Sequence, residues 1–371
     1  MHSHASRTAV VALLVAVAVP CRGEVPPVAG ATGVPAPRRA IELVDARGRT
    51  VQFASAPQRI AVAGRGVGLL ADLLYLFPQA RERVVAIPEP SQPRAADFLA
   101  LLDPGLSSKK VLGGGSSAGV EQLAPFHPDV VVLKSVAAER LGEPLERVGL
   151  PVVFLEGESP ERFLDDVAVL GRLFDDTPRA ERIVAYFRER LAHVRERLRD
   201  LPATGRPRVL LLTASSRGGE GTFSQPPGAW IQTRMIVEAG GVPAAGAESP
   251  GGTVTAEQVA ALAADRIVVA SYRGDSREVV AQLRADPLWA AMPAVRAGRL
   301  GAFPGDFSSW DQPGPRWILG QLWLARTLHP ERFADLDLRV ELAAFYATLY
   351  GLPETAVRDH VVPVLTGDLA R

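Results

Sequence analysis

Glu121-Gln122-Leu123-Ala124, four residues, then Asp129-Val130-Val131-Val132: this arrangement returns without a gap 136 positions later as Glu257-Gln258-Val259-Ala260, four residues, then Asp265-Arg266-Ile267-Val268. In each copy a short helix opens near the glutamate and ends before an aspartate that leads into an apolar, strand-like run. A repeated supersecondary unit at this distance implies two lobes of similar construction.

Outward from the first copy, strand and helix alternate. Ile41 to Asp45, Arg47-Gly48-Arg49 and Thr50 to Phe53 read as a small hairpin around a Gly turn. Arg59 to Ala63 reads as a buried strand, Gly64-Arg65-Gly66 as a turn, and Val67 to Leu76 as a helix. Val84 to Ile87, Lys110 to Leu112 and Val130 to Leu133 add further strands. Alternation of this kind argues for a mostly parallel sheet.

Between the two copies the pattern is helical. Ser159-Pro160 has the form of an N-cap followed by Pro at the first helical position, with Phe163, Val167 and Leu170 after it at helical spacing. Asp176-Thr177-Pro178 repeats the start signal. Ile183, Phe187, Leu191, Val194 and Leu198 then mark one face of a helix running to Leu201. The expected fold is α/β, a clamshell of two lobes with mostly parallel central sheets joined by one long rigid helix. The expected boundaries are 1–37 for a signal peptide and flexible leader and 38–158 for the N-terminal lobe. Connecting helices follow at 159–204, and the C-terminal lobe with its C-terminal helices at 205–371. The segment from Pro330 onward is expected to pack on the second lobe.

Composition narrows the class of function. The 41 Lys and Arg balance the 41 Asp and Glu. That removes the electrostatic warrant for nucleic-acid binding or a polybasic membrane contact. At the N-terminus Arg7 precedes the apolar run Thr8 to Pro20, which has the length of a signal-peptide core and is too short to span a bilayer comfortably. An exported protein is expected, periplasmic or anchored to the outer face of the cell membrane. Cys21 is the only cysteine, so no intrachain disulfide forms. It stands where a bacterial lipoprotein carries its acylated cysteine, although Pro20 occupies a position where a small residue is expected. Conventional cleavage near Ala29-Gly30-Ala31 is the rival, and the Pro/Gly/Ala stretch Val25 to Pro37 is a flexible leader in either case.

From about Ile41 to Leu328 the sequence resembles the periplasmic binding proteins of the siderophore, cobalamin and haem ABC importers. The carriers are Asp45-Ala-Arg-Gly-Arg-Thr50, Pro57-Gln-Arg-Ile60, Gly119-Val-Glu121, Pro128-Asp129-Val-Val-Val132 and Thr255-Ala-Glu257. Ser309-Trp310-Asp311-Gln312-Pro313-Gly314-Pro315-Arg316 looks like a subgroup that also includes molybdate and tungstate binders. The resemblance implies a monomer without a cofactor that takes a small metal chelate, with an oxyanion as the alternative, and delivers it to an ABC permease and its ATPase. It also implies that one glutamate from each lobe, Glu121 and Glu257, docks on permease arginines. Two carboxylates on a rigid scaffold would set the docking register through charge-assisted pairs.

In open α/β sheets ligands bind outside the carboxyl ends of the strands. In the first lobe this points to Arg65 and Gly66, whose turn exposes backbone N–H groups beside a forked cation, to Ile87-Pro88-Glu89, and to Lys134-Ser135. In the second lobe it points to Thr213 to Arg217, to Tyr272 and Arg273, and to the loop Phe303 to Arg316. In that loop Trp310 is expected to offer a flat face, and Asp311 and Arg316 hydrogen bonds. The histidines beyond the signal, His127, His193, His329 and His360, lack ligand spacing, and His127 is expected to cap a helix end. A metal is therefore expected to arrive already chelated or as an oxyanion.

Two enzyme readings are weaker. Gly115-Ser116-Ser117-Ala118-Gly119 matches the G-x-S-x-G nucleophile elbow, which would make Ser117 a hydrolase nucleophile. His329 and His360, however, stand in helical context rather than in a loop after a strand. Gly64-x-Gly66-x-Gly68 fails the dinucleotide fingerprint because Leu69 stands where the last glycine belongs.

Overall fold

The computed structural model describes residues 40–64, 68–89, 92, 94–112, 119–217 and 220–369. Cys21, the turn Arg65-Gly66 and Ser117 lie outside them. The described part opens with the expected hairpin, β1 (Ile41–Val44) antiparallel to β2 (Thr50–Phe53). Its Asp-Ala-Arg-Gly-Arg turn is a clamp. The Asp45 carboxylate accepts from Arg47 N at 2.9 Å and Arg49 N at 3.1 Å. The Arg49 guanidinium pairs with Asp45, donates to Val152 O at 2.9 Å and lies 4.4 Å from the centroid of the Phe154 ring.

The first large sheet contains β3 (Ile60–Val62), β4 (Val84–Pro88), β5 (Lys110–Leu112), β6 (Val130–Lys134) and β7 (Val152–Leu155) in the order β5-β4-β3-β6-β7, all parallel. Strands β3 and β7 are buried throughout, as unbroken apolar runs are when helices cover both faces. The second sheet contains β8 (Arg208–Arg217), β9 (Glu220–Gln225), β10 (Val242–Pro243), β11 (Gly252–Val254), β12 (Arg266–Ser271) and β13 (Leu300–Ala302). Its order is β11-β9-β8-β12-β13, with β10 also on β8. Strands β8, β10, β12 and β13 run parallel, whereas β9 and β11 are antiparallel additions. Thr213 to Arg217 is therefore not a strand–helix turn. It is the end of β8, paired with β12 as far as Ala214 and with β9 throughout as one arm of a hairpin. The signal was present in the sequence, a Gly218-Gly219 pair between two strand-like runs.

The repeat reflects a shared local geometry. Asp129 precedes β6 and its carboxylate accepts from Gln58 N at 2.7 Å and Arg59 N at 2.9 Å, at the start of β3. Asp265 precedes β12 and accepts from Arg208 N at 2.8 Å, at the start of β8. In both lobes the partner arginine reaches back to the end of the preceding helical turn, Arg59 to Phe126 O and Arg208 to Leu262 O. In both, the residue two before the aspartate is left-handed, His127 at φ 43° and Ala263 at φ 46°. Left-handed backbone costs roughly 1–2 kcal/mol at a non-glycine residue, so its recurrence at matched positions marks a real structural duplication. His127 also closes its helical turn by donating its N–H to Ala124 O at 3.0 Å.

Between the sheets lie the helix Pro160–Leu173, capped by the Ser159 hydroxyl accepting from Arg162 N, and the helix Thr177–Arg197, capped by the Asp176 carboxylate accepting from Arg179 N. The second has 21 residues and spans about 31 Å. It ends four residues before Leu201, the expected limit. Ile183, Phe187, Leu191 and Val194 are buried in one apolar cluster with Ile60 and Val62 of the first sheet and Val209 and Leu211 of the second. The connector is thus welded to both lobes through packing.

The C-terminal helix Leu338–Tyr350 departs from expectation because it packs on both lobes. Tyr350 donates its hydroxyl to Asp72 O at 3.3 Å, and its ring meets that of Phe98 edge-on with centroids 4.9 Å apart. Arg179 of the connector donates to Thr348 O and Leu349 O. A helix end presents free carbonyls, and a guanidinium satisfies two at once. Among the described residues no helix is long and apolar enough to cross a membrane.

Candidate functional site

Strands β12 and β13 point their carboxyl ends into a cleft of about 550 Å³. Its floor is the turn Ser271 to Asp275 after β12 and the loop Asp306 to Ser309 after β13, and Gln92 and Arg94 close it from the first lobe. Gln92 is a direct tie between lobes. Its Oε1 accepts from Ser309 N at 3.1 Å and its Nε2 donates to Gln312 Oε1. Gly314 packs closely on the first lobe, since a β-carbon there would meet Leu69 Cδ2 at 2.9 Å and push that side chain aside.

Of the second-lobe residues expected from sequence, Tyr272 and Arg273 line this cleft. The Tyr272 hydroxyl donates to Asp311 Oδ2 at 2.8 Å and lies 3.4 Å from Thr213 Oγ1. Burial and the neighbouring carboxylate push its pKa well up. Asp311 is wholly buried beneath it and also accepts from Ser309 Oγ at 2.5 Å. Burial pushes that carboxyl up as well, partly offset by the Ser309 and Tyr272 donors.

Trp310 and Arg316 differ from expectation. Trp310 is 0% exposed and offers no face to the cleft. Its indole Nε1 donates to Asp306 Oδ2 at 3.1 Å, the hydrogen bond a buried tryptophan requires. Arg316 is 2% exposed, pairs with Asp306 at 2.6 Å and with Asp72 of the first lobe at 2.5 Å, and carries the Phe98 ring 4.1 Å from its guanidinium carbon. Both residues hold the loop from behind. Trp310→Phe should therefore lower stability by about 1–2 kcal/mol while leaving solute affinity within about twofold, read by chemical denaturation and titration calorimetry.

In the first lobe, Ser135 follows β6 and donates its hydroxyl to Leu155 O at 3.2 Å, next to a Lys134–Glu158 ion pair. It is a turn clip and does not line the cleft described here. Gln92 and Arg94 lie beyond the Ile87-Pro88-Glu89 turn named from sequence, and Asp306 lies inside the named loop Phe303 to Arg316 without being singled out there. Glu121 and Glu257 are both exposed, each in the first turn of a short helix after a capping residue. Thr255 and Gln258 form a reciprocal capping box around Glu257. Backbone and Thr255 donors hold the Glu257 carboxyl below the usual range.

The sequence profile of the periplasmic binding protein family matches residues 61–306, more than half of the chain. This chain belongs to that family. The periplasmic binding proteins are exported solute-binding proteins of ABC transporters. The molybdate-binding protein MolA of Haemophilus influenzae is 25% identical over 284 residues, covering 69% of this periplasmic binding protein and 78% of MolA. A periplasmic solute-binding protein from Veillonella parvula superposes with a TM-score of 0.69 at 21% identity, covering 88% of this chain and 98% of that one. CeuE of Helicobacter pylori, in a complex with Ni-His, superposes with a TM-score of 0.70 at 18% identity, covering 87% and 99%. Both structures share the two-lobed fold.

Proposed function

We propose that this protein captures a small anionic solute in the interlobe cleft, an iron-siderophore or similar metal chelate. It then presents the solute to an ABC permease through Glu121 and Glu257 and catalyses nothing. The observation that carries this reading is a pair of guanidinium groups. Arg94 from one lobe and Arg273 from the other line the same space, both are exposed, and neither has an ion-pair partner among the described residues. Two forked cations across a cleft suit the peripheral carboxylate or catecholate oxygens of a chelate. The volume, about 550 Å³, lies in the range of sites for ligands of that size.

A second reading, a molybdate or tungstate oxyanion, is favoured by the 25% identity to MolA. Titration calorimetry with ferric citrate, a ferric tris-catecholate, molybdate and tungstate separates the two. Arg94→Ala and Arg273→Ala should each weaken the bound probe about tenfold or more, the value of one charge-assisted hydrogen bond. Unchanged affinity in both variants would defeat the assignment of the cleft. Acylation of Cys21 is the proposed route of anchoring for the monomer. The mass of the mature N-terminus decides between that and cleavage near Ala29-Gly30-Ala31.

A further inference from the structure

The wall of the cleft is backed by an ion cluster with unequal charge. Asp306 lines the cleft, and Arg316 Nε lies 2.6 Å from its Oδ1. Its Oδ2 accepts from Tyr346 at 2.6 Å and from Trp310 at 3.1 Å. The far side of the same guanidinium reaches Asp72 Oδ2. All three charged side chains are at most 3% exposed. Two carboxylates share one cation, so with both ionised the cluster carries one uncompensated negative charge directly behind the solute cleft.

We infer that the Asp72–Arg316–Asp306 cluster makes solute capture pH-dependent, tightening the cleft for anions on the acid side; this rests on the cleft being the solute site. Asp72 is the member that titrates. The groups facing it are Arg316 and Asp306 from the loop after β13 and Tyr350 from the C-terminal helix, with Arg179 of the connector beyond Tyr350, while Tyr346 faces Arg316 and Asp306. Asp72 Oδ1 has no hydrogen-bond partner among the described residues. Burial pushes its carboxyl up to about 6, against the pull of Arg316. Below that pH the cluster is neutral; above it the excess negative charge opposes an anion in the cleft. Asp311, beneath Tyr272 and Ser309, is also pushed up by burial, so the comparison with Asp72→Asn is what assigns the effect to the cluster. Asp275, beside Arg277, is held below the ordinary range, and no histidine lines the described cleft. One charge about 10 Å away across a protein wall is worth roughly threefold to tenfold in affinity.

The test measures affinity for molybdate and for ferric citrate from pH 5 to 8 at fixed ionic strength, in the native protein and in Asp72→Asn. The ratio of the two proteins' constants cancels any protonation of the probe. The variant should bind about threefold to tenfold tighter at pH 8 and equally at pH 5. A ratio that stays flat across the range overturns the inference and leaves the cleft assignment standing. No binding of either probe at any pH sinks the cleft assignment and this inference together. The native protein also needs no variant for a second arm. Calorimetry in buffers of different ionisation enthalpy should show uptake of about a third of a proton per solute near pH 6 and none near pH 8.5. Uptake equal at both pH values, after correction for the free probe, would count against the cluster.

Discussion

Arg316→Met is expected to destabilise the protein by roughly 3–5 kcal/mol, the cost of removing one partner from a buried charge cluster. The arginine is the common partner of Asp72 and Asp306, and both carboxylates are nearly inaccessible. Methionine fills much of the volume and keeps contact with the Phe98 ring, so little of the loss comes from a cavity. What remains is two buried acids with no cation. They respond by taking up protons, which fixes the sign of the pH dependence. A carboxyl whose folded pKa is raised stabilises below its unfolded pKa, and that contribution is lost as pH rises through the folded value. Arg316→Met should therefore approach native stability near pH 4 and fall steeply away through neutral pH. Adding Asp72→Asn to the variant should restore part of the loss at pH 7.5 by removing one of the two charges. Urea denaturation from pH 4 to 8 checks this. A loss under about 1 kcal/mol at pH 7.5 would mean that water reaches the cluster and that the lobes are not tied through it.

How far the sequence carried can be seen at particular residues. The duplication was legible because its elements are local. A helix turn, a left-handed residue and an aspartate that caps the neighbouring strand lie within a dozen positions, and the pattern Glu…Asp-Val-Val-Val encodes them in order. Both helix starts at Ser159 and Asp176 were legible for the same reason, since a cap and the N–H it accepts from are three residues apart. The cluster behind the cleft was not. Asp72 and Arg316 are separated by 244 positions, and an aspartate among leucines gives no hint of its partner.

Trp310 shows the reverse error. A tryptophan in a Ser-, Gly- and Pro-rich loop reads as an exposed platform, yet Gln92, Leu69 and Asp72 of the other lobe pin that loop down and turn the indole inward. Local composition describes a loop; long-range ties decide which way it faces. Arg94 and Arg273 fall between these cases. Each follows the carboxyl end of a strand, where a ligand is expected, but only the fold places them on one cleft.

Reversing both Glu121 and Glu257 to arginine is expected to abolish solute uptake, a loss of at least about a hundredfold, while solute affinity stays within about twofold. Each side chain is exposed and lies outside the cleft, so neither the fold nor the solute site depends on its charge. The scaffold beneath them is stiff. Each glutamate sits eight residues before an aspartate that locks its helix end to the neighbouring strand, and both sheets share one apolar core with the connector. A fixed separation between two carboxylates gives a two-point dock, in which the second contact forms at high effective concentration once the first is made. Single reversals should then weaken uptake by about tenfold each, and the double variant by more than either alone, since the reversed charges also repel the permease arginines. Uptake of radiolabelled solute into vesicles carrying the permease and its ATPase measures the loss. Restoration by the opposite reversal, Arg→Glu, on the permease would locate the contact. Uptake that survives the double reversal would remove these glutamates from the docking surface and leave the cleft, with Arg94 and Arg273, as the functional feature still to be explained.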